Sequence, residues 1–184
     1  MTIIIRTTLL TAIFFFGLLP GSQAQTLKID SLSGKYVMRD IIPVDTTLTR
    51  EQIFGICKDW VVRNLKSSDN NILLDDKDYK QITTTGVVKT SDMPIALCSI
   101  ANCMIDFKFT INIKEGRIRY TIENIVHYGT NSCSNPPERM TTPLEKWNLK
   151  VKLGKNVFAD IEAKLTALTK DLALSFSRND KDNW

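Results

Sequence analysis

The strict alternation of apolar and polar residues from Ile105 to Ile122 constrains the fold more than any other feature of the sequence. Apolar side chains occupy every second position on both sides of Glu115-Gly116, and polar or charged side chains lie between them. A period of two is the pattern of a β-strand with one buried face, and glycine supplies the positive φ of a two-residue turn. The pattern therefore predicts an antiparallel hairpin whose turn sets the register, with Lys108 opposite Glu123.

Two amphipathic segments predict helices. Thr49 and Gln52 have the spacing of a capping box, and the apolar residues that follow, up to Leu65, lie on one side of a helix with 3.6 residues per turn. A second helix is expected to begin at the capping residue Asn156 and to carry an apolar stripe from Val157 to Leu172. Each stripe needs an apolar surface, which the hairpin provides on one face.

The remaining elements are shorter. Strands are expected at 36–44, 72–74 and 81–89, and loops at 90–102 and 129–142. Residues 142–153 are ambiguous, because a good helix start precedes an alternating stretch; a helical turn and then an extended piece are expected. The sequence thus predicts a single α+β domain at 36–176, in which a curled antiparallel sheet of about five strands carries two helices on one face in the order β-α-β-β-β-β-α.

The first 24 residues have the pattern of an export signal. Arg6 precedes an apolar run from Leu9 to Leu19, and Ser22-Gln23-Ala24 places small residues where a signal peptidase reads. The run is about eleven residues, whereas a membrane-spanning helix needs ~20. We therefore expect cleavage between Ala24 and Gln25 and a soluble periplasmic or secreted product with no membrane span, a flexible leader at 25–35 and a flexible tail at 177–184.

Charge gives little indication of a partner. The chain has 24 basic and 20 acidic residues, and the predicted signal contains one of the basic residues, so the mature charge is 23 − 20 = +3. This excess is small, and both signs are mixed along the chain. It does not predict a nucleic-acid partner.

Four cysteines are present, at 57, 98, 103 and 133. Cys57 lies in the apolar stripe of the first helix and is predicted to be a buried thiol. Export permits disulfides, so at most one internal bridge is expected among Cys98, Cys103 and Cys133. The sequence does not choose the pairing.

The segment from Arg39 to Tyr128 resembles a family of exported bacterial proteins known as a domain of unknown function, with a fold like that of the TATA-box-binding protein (TBP). The resemblance is carried by the strand ending in Ile41-Ile42-Pro43-Val44, the helix LTREQIFGICKDWVVRNLK and the hairpin FTINIKEGRIRYTIENI. It implies a TBP-like fold and brings no catalytic residue. The cysteine-containing segment at 90–102 departs from the family pattern.

No catalytic residue, metal or cofactor is predicted. His127 is the single histidine and is expected to be partly exposed at a strand end, with no serine or cysteine at a recognisable nucleophile turn. Together with Cys98, Cys103 and Cys133 it would supply four zinc ligands, but zinc sites usually have tighter cysteine spacings.

An acidic cluster at Asp75, Asp76 and Asp78 resembles part of a calcium loop. It lacks the glycine and the distal glutamate of that motif. A solvated turn is the simpler interpretation.

Two helices can cover only one face of the sheet, so the other face is expected to be open. Antiparallel sheets commonly have such a wet face; the alternative is a binding surface made by the polar residues Lys108, Thr110, Asn112, Arg117, Arg119, Thr121 and Glu123. We therefore expect a non-catalytic binding or scaffolding module whose partner is a periplasmic or surface protein, a peptide or a glycan. Alternatives are a small extracytoplasmic hydrolase near His127, and an inhibitor or carrier of a small apolar ligand.

Overall fold

A long antiparallel hairpin forms the centre of the sheet. The computed structural model describes residues 26–65, 72–76, 80–95 and 98–178, so the predicted export signal and residues 179–184 lie outside the described residues. The helices and strands are β1 (Lys28–Ile29), β2 (Tyr36–Pro43), α1 (Arg50–Asn64), β3 (Ile72–Asp76), β4 (Gln81–Lys89), β5 (Met93–Ile95), β6 (Cys98–Lys114), β7 (Arg117–Asn131), β8 (Glu138–Pro143), a 3-10 turn (Leu144–Lys146) and α2 (Lys152–Arg178).

All strand pairs are antiparallel. The sheet has the order β1-β2-β7-β6-β4-β3, with β5 also paired to β6 and β8 to β7. In the central hairpin Lys108 lies opposite Glu123 and Ile113 opposite Ile118, the predicted register. Gly116 occupies the turn with φ of 68°, a conformation that costs glycine little.

Both helices pack on one face of this sheet. Phe109 and Ile111 of β6 are 0 % exposed, and the Trp60 ring of α1 lies 5.7 Å from the Phe109 ring. The Trp60 indole N–H donates to Asp171 Oδ2 of α2 at 2.9 Å, which ties the two helices together over the sheet. The predicted α+β class, with two helices on one face of a curled antiparallel sheet, is confirmed.

The first helix begins as predicted. The Thr49 hydroxyl accepts the Gln52 backbone N–H at 3.2 Å, and the Gln52 side chain accepts the Thr49 backbone N–H at 2.8 Å, which completes the capping box. The second helix begins at Lys152, so the prediction of a start at Asn156 is wrong. The Lys155 N–H already donates to the Val151 carbonyl. A side chain at Gly154 would lie 2.2 Å from the Asn148 carbonyl oxygen, so glycine lets the preceding turn pack on the start of α2.

The sheet has more strands than the sequence predicted. The expected loop at 90–102 contains β5 and the start of β6, and the expected loop at 129–142 contains the end of β7 and most of β8. Residues 28–29, in the expected leader, form β1, and the Leu27 N–H donates to Glu162 of α2 at 2.8 Å. These additions depend on long-range pairing, which local patterns do not reveal.

The ambiguous segment at 142–153 ends β8 and continues as the 3-10 turn at Leu144–Lys146 before α2 begins. The helical turn was expected there, but the expectation of an extended piece after it is wrong, because a turn in which the Val151 N–H donates to the Asn148 carbonyl at 3.3 Å leads directly into α2. Within the described ranges, no helix is long and apolar enough to cross a membrane.

Candidate functional site

The seven predicted binding residues lie on the face of the sheet that the helices leave uncovered. Strand β6 contributes Lys108, Thr110 and Asn112, and β7 contributes the residues opposite them, Arg119, Thr121 and Glu123, together with Arg117 near the turn. Their side chains are half-buried or exposed, whereas the residues between them in sequence are buried. The structure therefore brings all seven onto one surface, which we call the open face.

The middle of the open face satisfies its own polar groups. Lys108 pairs with Glu123 at 2.9 Å, the amide of Gln81 donates to Asn112 Oδ1 at 3.0 Å, and the hydroxyls of Thr83 and Thr110 are 3.4 Å apart. These cross-strand contacts are typical of a solvated antiparallel sheet. They leave few free groups for a ligand in this part of the face.

The end of the open face near the hairpin turn differs from the middle. A depression of about 170 Å³ is lined by Ile41, Asn112, Lys114, Arg117 and Arg119. Three of these residues are basic, Lys114, Arg117 and Arg119. Within the part of the chain that the structure describes, none of the three forms an ion pair. Ile41 of β2 is 50 % exposed beside them. An apolar side chain next to unpaired cations is a combination that can bind an acidic, partly apolar partner.

Positive charge is concentrated on the open face of strands β2, β4, β6, β7 and β8. The strand registers place more basic than acidic residues there: the basic ones are Arg39, Lys89, Lys108, Lys114, Arg117, Arg119 and Arg139, and the acidic ones are Asp106 and Glu123. The whole chain has a formal charge of only +4. These five strands therefore carry, on this face, an excess of positive charge at least as large as that of the entire protein.

At the other end of the open face, Tyr128 is held between two neighbours. Its hydroxyl donates to the Met104 sulfur at 3.4 Å, and the Arg139 guanidinium lies 4.6 Å from its ring centroid. Burial, and to a smaller extent Asp106, raises the pKa of Tyr128. The phenol is therefore neutral at physiological pH, and Arg139 stacks on it as a cation on a π-face.

A second concave region lies on the opposite side of the sheet, under the segment between β4 and β5. This cleft has a volume of about 530 Å³ and lies between that segment, strand β7 and the first turns of α2. Its lining mixes apolar and polar side chains: Thr90, Ser91, Asp92, Met93, Pro94, His127, Lys152, Leu153, Asn156, Val157 and Asp160. A carrier of a small apolar ligand, one of the alternatives expected from the sequence, would need an apolar pocket, and the polar side chains in this lining do not fit a purely apolar cargo.

His127 lies on the helix-covered face and lines this cleft. The residue is 3 % exposed, and its ring packs edge-on against Trp147 with the centroids 5.4 Å apart. The expectation of a partly exposed strand-end histidine is therefore wrong. Burial lowers the pKa of His127, and Asp160 opposes that shift. The imidazole is thus held neutral.

A β-bulge explains the position of His127. The register shifts between Asp106 and Lys108 on β6, where β7 carries the extra residue Asn124 with φ of 54°. An extra residue reverses the face on which the following side chains lie. Without it the alternation that buries Ile122 would place His127 on the open face.

The polar groups of the cleft are not arranged as a nucleophile and its base. The Ser91 hydroxyl donates to Asp160 Oδ1 at 3.1 Å, and the Ser91 backbone N–H donates to Asp160 Oδ2 at 2.8 Å. The serine and the carboxylate therefore bind each other directly, without the imidazole between them that a triad requires. This pairing gives the hydrolase hypothesis no support.

The cysteines differ in state. Cys133 is disulfide-bonded, whereas Cys57 and Cys103 are buried free thiols; the side chain of Cys98 lies outside the described residues. The prediction of a buried Cys57 thiol is confirmed, and burial raises its pKa to about 12. Because the Cys133 sulfur is bonded to another sulfur, the four-ligand zinc arrangement is not formed.

Of the acidic cluster, Asp75 and Asp76 belong to β3 rather than a turn, and Asp78 is not described.

The protein is an α+β domain in which two helices cover one face of a curled antiparallel sheet and leave the other face open. Residues 39–128, just under half of the chain, match the model of the family described as a domain of unknown function (DUF4468) with a TBP-like fold. The family resemblance predicted for the segment from Arg39 to Tyr128 is confirmed. No curated protein matches the chain.

Two crystal structures are similar to this one. A DUF4468 family protein from Bacteroides ovatus ATCC 8483 has 19 % sequence identity and a TM-score of 0.56, over 80 % of this chain and 90 % of its own. A TBP-like protein from Parabacteroides distasonis ATCC 8503 has 14 % identity and a TM-score of 0.60, over 84 % of this chain and 98 % of its own. At these identities the similarity establishes the fold, and function has to be argued from the surfaces.

Proposed function

We propose that this protein is an exported, non-catalytic binding module that recognises an extended acidic peptide segment of a partner protein through the open face. The observation that carries the proposal is the group of unpaired basic residues at the turn end of that face, Lys114, Arg117 and Arg119, beside the exposed Ile41. A peptide with alternating acidic and apolar side chains would complement both features.

The neighbouring sheet edge favours a peptide over other polyanions. Residues Met38 to Pro43 of β2 pair with β7 on one side, whereas β1 pairs only with residues 36 and 37 on the other. Along the described residues this outer edge has no strand partner. An extended peptide can add to such an edge through main-chain hydrogen bonds, while pockets select its side chains. The Ile41 N–H donates to Asp40 Oδ1 at 2.8 Å. The Asp40 side chain therefore has to rotate away before this N–H can donate to a peptide carbonyl.

The binding experiment uses a fluorescent peptide of alternating glutamate and valine and measures anisotropy. We expect binding that weakens as salt is added, because exposed ion pairs are screened. The double variant Arg117→Glu/Arg119→Glu should weaken binding by about tenfold or more. In the unmodified protein, peptide should protect from hydrogen exchange those amides of residues 38–42 that do not pair with β7, such as the Ile41 N–H.

The matched control is Lys155→Glu/Lys164→Glu, which makes the same change of net charge on exposed positions of α2. This variant should retain binding. Equal losses in both variants would show that binding follows net charge alone, and the proposed face would be wrong. An oligonucleotide that binds as tightly as the peptide would contradict the choice of a peptide partner.

Export is the second part of the proposal and is supported by the pattern of the first 24 residues. The intact mass of the protein purified from its native envelope should correspond to a chain that begins at Gln25. A full-length mass, or recovery from the cytoplasm, would contradict export and would leave the binding proposal to be judged by its own experiment.

A further inference from the structure

The cleft between the β4–β5 segment and α2 contains polar groups that the protein itself does not satisfy. Thr90 is 5 % exposed, and its hydroxyl has no hydrogen-bond partner among the described residues. The His127 ring is 3 % exposed, packs on Trp147 and forms no hydrogen bond within those residues. Because buried polar groups are nearly always hydrogen-bonded, the buried Thr90 hydroxyl, together with the unbonded imidazole of His127 in the same cleft, can serve a ligand bound there.

The walls of the cleft are braced before any ligand binds. Asp160 accepts two hydrogen bonds from Ser91, and Asp92 Oδ1 accepts the Cys103 backbone N–H at 3.3 Å. These bonds hold the segment between β4 and β5 against α2 and β6. A site whose walls are held in place loses less conformational entropy when it binds a ligand.

Charge and hydrogen-bonding capacity limit the chemistry of the ligand. Asp92 and Asp160 outweigh Lys152 in the lining, which disfavours an anion. Neutral histidine, threonine and asparagine each combine donors with acceptors. An ammonium group offers only donors and a carboxylate only acceptors, whereas a hydroxyl offers both. The apolar side chains of Met93, Leu153 and Val157 can contact the carbon face of a ring.

We propose that this cleft is a second binding site, which takes a small neutral molecule bearing several hydroxyl groups, of the size of a monosaccharide or disaccharide. Its volume of about 530 Å³ lies within the ordinary range for small-molecule sites. The site is on the opposite side of the sheet from the open face and does not depend on the peptide proposal.

The single histidine makes the test direct, because His127 gives the only imidazole signals in a nitrogen-15 NMR spectrum. Maltose and N-acetylglucosamine are titrated into the labelled protein, with methylammonium and acetate as charged probes. We expect a saturable shift of the His127 ring signals with at least one sugar. Shifts that grow linearly with sugar concentration, or saturation only with a charged probe, would overturn the proposal.

Thr90→Val provides the matched variant, since it removes the hydroxyl and nearly preserves the shape. Affinity for the sugar should fall by about tenfold or more, while the stability of the free protein should be unchanged or higher, because the hydroxyl has no partner there. Thr141→Val makes the same change at an exposed position of β8 and should bind normally. If Thr90→Val binds as well as the unmodified protein, the cleft is not the site.

Discussion

The two faces of the β6–β7 hairpin are made by the same strands and yet have opposite properties. On the helix-covered face Phe109 and Tyr120 are 0 % exposed and their rings stack with centroids 6.1 Å apart. On the open face Arg117 and Arg119 are exposed and unpaired within the described residues. The period-two alternation thus separates the residues that form the core from those of the proposed binding surface, so substitutions on the two faces should have different effects.

The largest effect should come from a large-to-small substitution on the covered face. Phe109→Ala removes a ring that contacts both Trp60 and Tyr120, and we expect the free energy of unfolding to fall by about 3–5 kcal/mol. Thr110→Ala, the next residue and on the open face, should cost about 1 kcal/mol or less. Urea denaturation of both variants measures the difference, and similar losses would contradict the two-face description.

A comparison of two glycine-to-alanine substitutions tests how tightly the covered face is packed. A Cβ at Gly86 would lie 2.6 Å from the Phe107 ring, so Gly86→Ala should destabilise the protein by about 1–3 kcal/mol through overpacking. At Gly55, on the exposed side of α1, a Cβ would meet nothing within 4 Å. Gly55→Ala should therefore stabilise the protein by about 0.5–1 kcal/mol through helix propensity. A loss of stability at Gly55, or none at Gly86, would refute the packing argument.

A smaller effect should appear as a pH dependence that originates on the covered face. The pKa of His127 is lowered from 6.5 by burial, so the unfolded chain takes up a proton more readily than the folded one. Above about pH 6.5 His127 is neutral in both states and does not lower the free energy of unfolding. As the pH falls from there toward the folded-state pKa, the unfolded chain binds the proton first and the free energy of unfolding decreases. Asp160 opposes this shift, and Asp92 and Lys152 are the other charged groups that line the cleft.

His127→Phe isolates this contribution, since it keeps a ring against Trp147 and removes the titrating group. Denaturant midpoints of the unmodified protein and the variant should converge or cross as the pH is lowered from 7 toward 5 (a range set by the reference pKa of about 6.5). Parallel curves for the two proteins over that range would show that His127 is not held neutral in the fold.

The smallest effect belongs to the ion pair on the open face. Lys108 and Glu123 are 2.9 Å apart, with side chains that are 40 % and 33 % exposed. A double-mutant cycle with alanine at both positions should give a coupling of about 0.2–1 kcal/mol that decreases with salt. A coupling well above this range would mean that the middle of the open face contributes to stability as the covered face does.

The sequence predicted some elements of the two faces and missed others. It predicted the hairpin, its register and the capping box of α1, because each depends on residues close together in the chain. It missed β1, β5 and β8, since short strands such as Met93–Ile95 form only where a partner strand is already in place. It placed the seven open-face residues together, but missed the cleft, whose lining comes from three separate segments.

The sequence by itself determined which hairpin side chains are buried, because a period of two and a two-residue turn act locally. Only the tertiary structure decided on which face His127 lies, because one bulged residue, Asn124, reverses the alternation beyond it. Only the tertiary structure gathered basic residues that are scattered along the chain onto one surface. Strands β2, β4, β6, β7 and β8 contribute them, and those strands become neighbours only when the sheet is assembled.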